Sequence, residues 1–345
     1  MDGAGARGLS VCLLPEVGEI MSHSVRRPSV GIETLSIRDF RGIDKLDLDF
    51  RGPDGHPNSL VVLAGLNGCG KTTVLEAALI LVGAQERIAG RRGRPAIRRG
   101  ARDYDIRANI RAHDATRMGY DAAHLDDPDP HPVPHRYFPS SRAPSFVGHV
   151  APSVGRTESR PPIEGRNPLL EIKQLLVNAA TIERFGSVPS PFVSYSAVIR
   201  EINNAWREFY PESGQSFTVE IVPPDESKIG GFDVYLISPD ATRVEIDLLS
   251  SGQLELFLFL STLALNQDRE GILFIDEPEL HLDPQWHRPI LRSLMRLQPR
   301  AQLIVATHSP EIYDAAASYE RHFLVSEDDP RSWLWARNHG VETGV

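Results

Sequence analysis

The chain has 345 residues, 41% of them hydrophobic and 24% charged, with a net charge of −9. That length holds one large domain or two modest ones around an ample core, and the acidic balance excludes a bulk attraction to nucleic acid, so any such surface has to be local. The only cysteines are Cys12 and Cys69, which excludes a disulfide framework and suits a reducing cytoplasm; no apolar run reaches the roughly 18 residues of a membrane span.

Residues 1–29 lack the apolar stretch and small-residue cleavage site of a secretory signal. They are expected to be a disordered extension, with Met21 an alternative start to Met1. From Ile32 to Phe50 apolar and polar residues alternate around a turn, which predicts two strands at an antiparallel edge. Leu60–Ala64 is a short, wholly apolar strand that runs into Gly65-Leu66-Asn67-Gly68-Cys69-Gly70-Lys71-Thr72, and a helix is expected from Thr72 to Val82. Strand, glycine loop and helix in this order are the context that a phosphate-binding loop, G-x-x-x-x-G-K-[ST], requires.

From residue 84 to 244 the composition changes, and this stretch is expected to be an insert of mixed helix and strand. It opens with an arginine-dense segment, Arg87 to Arg111, containing Arg91, Arg92, Arg94, Arg98, Arg99, Arg102 and Arg107. A nucleic-acid backbone is one partner such a segment fits; a solvated loop paired with the chain's own carboxylates is the other. Asp126–Pro134 is proline-rich and reads as an exposed loop. Helical periodicity covers 167–185 and 193–209, and strands are expected at 216–222 and 232–237. The core pattern resumes near 245. Leu249-Ser250-Ser251-Gly252-Gln253 then leads into an apolar helix, and Ile272–Ile275 is an apolar strand ending in Asp276-Glu277-Pro278. A second apolar strand, 303–306, ends in Thr307-His308-Ser309.

The chemistry follows from residue type and place. Backbone N–H groups between Gly65 and Gly70, with Asn67, Gly68, Thr72 and Thr73, can wrap phosphate oxygens at a helix start. Lys71 fits a contact to the β- and γ-phosphates of ATP, and the Thr72 hydroxyl fits Mg²⁺. Adjacent carboxylates at the end of a buried strand repel without a cation; Asp276 fits the Mg²⁺ role and Glu277 the general base on attacking water. Ser250 at the start of an apolar helix is an ordinary N-cap by type, yet the same geometry can present hydroxyls and N–H groups to an anion. His308 can contact a γ-phosphate, although a lone histidine is more often structural.

Taken together, Gly65–Thr72, Leu249–Gln253, Asp276-Glu277-Pro278-Glu279-Leu280-His281-Leu282-Asp283-Pro284-Gln285-Trp286 and Thr307–Ser309 resemble the ATP-binding cassette class of P-loop ATPases. Within it the chain looks like the SMC/RecF-like ATPases without a long coiled coil, and like the Septu-type antiphage and retron-associated ATPases. The likeness covers about residues 30–83 and 245–345. It implies an α/β fold: a P-loop sheet of SMC-head type with an antiparallel N-terminal edge and a mixed insert. It also implies head-to-tail dimerisation around two ATP, with Ser250, Ser251, Gly252 and Gln253 meeting the partner's γ-phosphate. His308 becomes the switch histidine, Asp283 the loop that communicates across the dimer, and Arg41 a contact to nucleotide phosphate. No glutamine matches the loop that links Mg²⁺ to the insert; residues 137–142 (YFPSSR) stand in that region. Only 37 residues follow His308, which predicts effector chemistry such as a nuclease supplied by a separate protein, docked on the insert or near Trp333 and Trp335. A transporter ATPase subunit and a non-hydrolytic ATP-binding scaffold stay open as other classes.

Overall fold

The computed structural model describes residues 9–12, 27–83, 101–112, 116–121, 133–140, 147–148, 150–151, 167–185, 194–223, 231–266 and 270–326, with backbone only at 9–12 and 116–121. These fall into two compact units. The first spans 1–140, 268–280 and 299–345; the second spans 141–267 and 281–298.

The first unit holds a six-stranded sheet in the order β1-β13-β4-β12-β11-β7. Here β1 is Leu9–Cys12, β4 Leu60–Ala64, β7 His135–Phe138, β11 Gly271–Asp276, β12 Ala301–Thr307 and β13 Arg321–Ser326. All neighbours are parallel except β1, which runs antiparallel to β13. Strands β4, β11 and β12 are buried at every residue, as unbroken apolar runs in parallel sheets require. A second, antiparallel sheet runs β3-β2-β5-β6, with β2 at Val30–Phe40, β3 at Ile43–Asp49, β5 at Asp105–Ala112 and β6 at Thr116–Asp121. Between β4 and the rest of the chain lies α1, Lys71–Leu81, whose Val74, Leu75, Ala78 and Leu79 share one core with Ile37 and Ile106 of the antiparallel sheet and Phe274 and Ile304 of the parallel one.

The strand pairing adds detail to three sequence expectations. The antiparallel strands of 32–50 form a sheet in which β5 continues the pairing on the far side of β2. β5 pairs with β2, and β7 pairs with β11 in the central sheet, so residues 105–138 contribute strands to the first unit. The N-terminal extension supplies strand β1 rather than being wholly disordered; the remainder of 1–26 lies outside the described residues.

The second unit holds a three-stranded antiparallel sheet, β10-β9-β8, formed by Arg243–Glu245, Gly231–Ile237 and Ser216–Val222. Among the described residues its α-helices are α2 (Pro168–Phe185), α3 (Tyr195–Phe209), α4 (Ser251–Ala264) and α5 (His287–Leu297). Trp206 of α3 is buried edge-on against Phe217 of β8, which in turn packs on Phe257 of α4 with ring centres 4.6 Å apart. The expected helices and strands of the insert are therefore present within two residues of their predicted ends.

Gly271 opens the strand that carries the acidic pair. Its φ is 133°, and a Cβ there would lie 2.2 Å from the Pro134 carbonyl oxygen, while the next residue, Ile272, donates its N–H to that same oxygen at 2.9 Å. Gly271→Ala is expected to destabilise the protein by about 1–3 kcal/mol, read as a lower denaturant midpoint with an unchanged slope.

Candidate functional site

In the first unit the loop after β4 delivers Lys71 and Thr72 to the start of α1. That start has no side-chain cap and no acidic residue in its first turn, which leaves its N–H groups directed at whatever anion approaches. Lys71 is buried, and its ammonium donates to the carbonyls of Gly65 at 2.8 Å and Leu66 at 3.1 Å. Burial pushes its pKa down, opposed by the Cys69 thiol and by the carboxylates of Glu277, Glu279 and Asp276.

The acidic pair sits where β11 ends. Asp276 is buried and accepts a hydrogen bond from the Thr72 hydroxyl, 3.3 Å from Oδ1 and 3.1 Å from Oδ2. Glu277 has φ 50°, a left-handed backbone that a non-glycine residue adopts only where its surroundings enforce it. Its N–H is held by the Ala306 carbonyl of β12 at 2.8 Å. Its carboxylate meets His308 Nε2 at 2.8 Å, and His308 Nδ1 lies 3.1 Å from Lys71 Nζ. An ammonium only donates, so Nδ1 accepts from Lys71 and the Nε2–H donates to Glu277. Lys71, His308 and Glu277 thus form one hydrogen-bonded row.

Glu279 has a role that no spacing in the sequence signals. Its Oε1 accepts from the Thr307 hydroxyl at 2.7 Å, the His308 N–H at 2.6 Å and the Ser309 N–H at 3.2 Å. One carboxylate oxygen thereby fixes the loop between β12 and α6 (Pro310–Ala315), and with it the His308 ring. Ser309 caps α6 through Ile312 N–H.

Arg41 occupies the turn between β2 and β3 with φ 51° and pairs with Glu76, one turn along α1 from Thr72. Burial raises the Glu76 pKa, the Arg41 guanidinium opposes it, and Asp276 adds to the rise. Arg41 is therefore held by a carboxylate beside the Thr72–Asp276 pair. Asn67 is exposed in the loop and Thr73 is half-buried. Strand β7 ends with Phe138 opposite Ile275, one residue short of Asp276; Ser141 and Arg142 of the YFPSSR stretch lie outside the described residues.

The remaining predicted residues lie in the second unit. Ser250 is the N-cap of α4 in a capping box: its hydroxyl accepts from Gln253 N–H at 3.4 Å and the Gln253 side chain accepts from Ser250 N–H at 3.3 Å. The ordinary helix-cap role thus holds for Ser250, while Ser251 at the first helical position is exposed. Asp283 caps the 3₁₀ turn Pro284–Trp286 through Gln285 N–H at 3.0 Å.

Of the arginine segment, Arg107 pairs with Asp105 at 3.0 Å and Arg111 with Glu33 at 2.5 Å, so these two are engaged by the chain's own carboxylates. Arg87, Arg91, Arg92, Arg94, Arg98 and Arg99 lie outside the described residues, as do Trp333 and Trp335. Among the described residues no helix is long and apolar enough to cross a membrane.

A glycine loop opening a helix after buried parallel strand β4, with a histidine at the end of the adjacent strand β12 and an acidic pair at the end of β11 beyond it, defines a P-loop nucleotide-binding fold. Residues 60–314 match the family model described as "AAA domain, putative AbiEii toxin, Type IV TA system", and the chain belongs to that family. It is 43% identical over 63 residues to a Septu protein PtuA of Bacillus thuringiensis, covering 18% of this chain and 16% of that protein. It is 30% identical over 179 residues to the "Retron Vc95 probable ATPase" of Vibrio cholerae serotype O1 biovar El Tor, covering 47% of this chain and 34% of that one. The chain thus spans well under two thirds of the curated relatives it matches. Among solved structures, an SMC head bound to the C-terminal winged-helix domain of ScpA aligns with a TM-score of 0.50 at 14% identity, covering 86% of this chain and 98% of the other; that likeness is one of fold.

Glu279→Ala removes three hydrogen bonds at one oxygen. It is expected to cost about 1–3 kcal/mol of stability and to speed amide exchange at His308 and Ser309 selectively, read by hydrogen-exchange mass spectrometry. Unchanged exchange there would show that the loop is held by other contacts.

Proposed function

We propose that this chain is an ATP-binding and ATP-hydrolysing switch that dimerises head to tail around two ATP molecules and works in antiphage defence or DNA processing with a separately encoded effector. The observation that carries hydrolysis is the contact of 2.8 Å between Glu277 and His308, set beside Lys71 and the Thr72–Asp276 pair. A chain that only held ATP would not need a carboxylate turned out of its strand by a left-handed backbone.

In this reading the phosphates of ATP take over the donors that Lys71 gives to Gly65 and Leu66. Thr72 and Asp276 supply the two hard oxygen ligands that a Mg²⁺ ion accepts from protein beside phosphate and water. That ion would neutralise charge on the β- and γ-phosphate oxygens. The donor set fits it: a hydroxyl and a buried carboxylate converge within 3.3 Å at the helix start. Glu277 takes the proton of the attacking water. His308, hydrogen-bonded to both Lys71 and Glu277, aligns the base and senses the phosphate that Lys71 binds. Ser251, with Gly252 and Gln253, and the loop around Asp283 act on the partner subunit's nucleotide, and a two-fold dimer makes both composite sites alike.

The domain plan that goes with this function is an ATPase domain of 30–83 and 245–345, extended by the strands within 105–138, and a remaining insert that carries the effector or nucleic-acid contacts. The Arg87–Arg111 segment is the proposed nucleic-acid contact, and the cytoplasm the proposed compartment. The defence role rests on the resemblance to the Septu and retron proteins.

Glu277→Gln is expected to bind ATP with wild-type affinity, to lose turnover by about 10²-fold or more, and to accumulate as a dimer in ATP, measured by phosphate release and light scattering. Turnover at the wild-type rate would remove Glu277 from the chemistry. Thr72→Val is expected to abolish the gain in nucleotide affinity that Mg²⁺ gives while leaving the affinity in EDTA within about twofold, measured by titration with a fluorescent ATP analogue.

A further inference from the structure

The signature at Ser250–Gln253 and the loop His281–Asp283 are distant in sequence but joined in the second unit at two points. The first is steric. The Gly252 Cα faces the His281 carbonyl so closely that a Cβ would lie 2.5 Å from that oxygen. A glycine is therefore needed here by the approach of another backbone, independently of any phosphate. The second is polar. His281 Nδ1 lies 2.8 Å from Glu255 Oε1, on the first turn of α4 beyond the signature. The Glu255 side chain is 7% exposed and the His281 ring 49%, so the histidine reaches in from the surface to a buried acid. His281 has φ 64°, which is what turns its carbonyl onto Gly252 while its ring reaches Glu255.

From these contacts we infer that His281 and Glu255 are positioning residues that hold the signature and the His281–Asp283 loop as one rigid lip, so that the two motifs engage a partner subunit's nucleotide together. A side-chain pair and a backbone-on-glycine contact, one turn of helix apart, fix both the distance and the rotation of the loop against α4. Neither contact touches Lys71, Thr72 or Asp276. Loss of the lip therefore leaves binding of nucleotide to the chain's own loop intact and impairs only what the chain does for its partner. This inference rests on the head-to-tail reading above.

The test is complementation in trans. His281→Gly keeps the left-handed backbone accessible and removes the ring; Gly252→Ala attacks the other contact. Each is expected to bind a fluorescent ATP analogue within about twofold of wild type, which also reports that it is folded, and to lose ATP turnover by about 10-fold or more, the scale of a misplaced catalytic group. Mixed in equal amounts with Lys71→Ala, which has an intact lip and no phosphate grip, either variant should recover about a quarter of the wild-type rate, because half of randomly formed two-fold dimers then hold one complete site of two. A merely structural defect in the variant's own nucleotide site would not be rescued this way. Lys71→Ala mixed with Ser251→Arg is the control. Recovery in the control but not with His281→Gly or Gly252→Ala overturns the lip. So does a wild-type rate for His281→Gly alone. Recovery in none of the mixtures overturns the head-to-tail reading, and the lip with it.

Discussion

Two acids in succession at the end of a buried strand pose the problem around which this site is built. Side chains alternate across a strand, so Asp276 and Glu277 in a continuous extended backbone would face opposite ways, and one of them would leave the nucleotide side. Both on one side would repel each other in a region of low dielectric. The left-handed turn at Glu277 resolves this by separating their tasks: Asp276 stays in the strand against Thr72, while Glu277 swings to His308. The strained backbone is retained because β12 grips the Glu277 N–H through Ala306. Parallel pairing of β11 with β12 is thus more than scaffolding. It sets the height at which Glu277 and His308 meet.

Much of this was legible before any fold was known, and the reason is local. The phosphate loop, the two apolar strands with polar ends and the serine-led helix each keep their chemistry within about ten residues. What could not be read depends on partners far along the chain. Strand β7 has four residues, begins with His135 and Arg136 and is flanked by Pro134 and Pro139; by propensity it is a loop, and only β11 beside it makes it a strand. Strand β5 was hidden in plain sight. Arg107 and Arg111 alternate with the buried Ile106, Ala108 and Ile110, and the density of arginine masks that period of two in the sequence. Glu279 and the His281–Glu255 pair left no trace because nothing in one sequence ties an acid to a loop 28 residues later or a histidine to a helix 26 residues earlier.

The same division explains how one element can look structural and functional at once. Ser250 is a helix cap by every criterion, and this does not compete with a role for its neighbour. A cap that ties up the Ser250 hydroxyl and the Gln253 side chain holds the first turn of α4 in one conformation, and Ser251, exposed like Ser250, is the serine of the pair that the cap does not use. In the proposed head-to-tail reading, the cap prepares Ser251 to face an anion by taking away its neighbour's alternatives.

A buried ion cluster extends that preparation one step upstream. Lys173 of α2 is fully enclosed, with Nζ 2.7 Å from Asp233 of β9, 2.9 Å from the Gly148 carbonyl and in contact with Asp247. Burial pushes the Asp233 carboxyl up, and the Lys173 ammonium opposes it. The second Asp247 oxygen accepts from Val147 N–H at 2.8 Å. Enclosing three charges to hold one turn is a poor source of net stability, since desolvation cancels most of the attraction. Its effect is directional. With Ile246 buried and the Asp247 side chain drawn inward to Lys173, the turn has one remaining way to face, and Leu248 is left 67% exposed immediately before the signature. An apolar residue stranded in that position is the cost of fixing Leu249 and Ser250 in space. The helices and strands that precede the signature act on it through this turn, by deciding which way the chain enters α4.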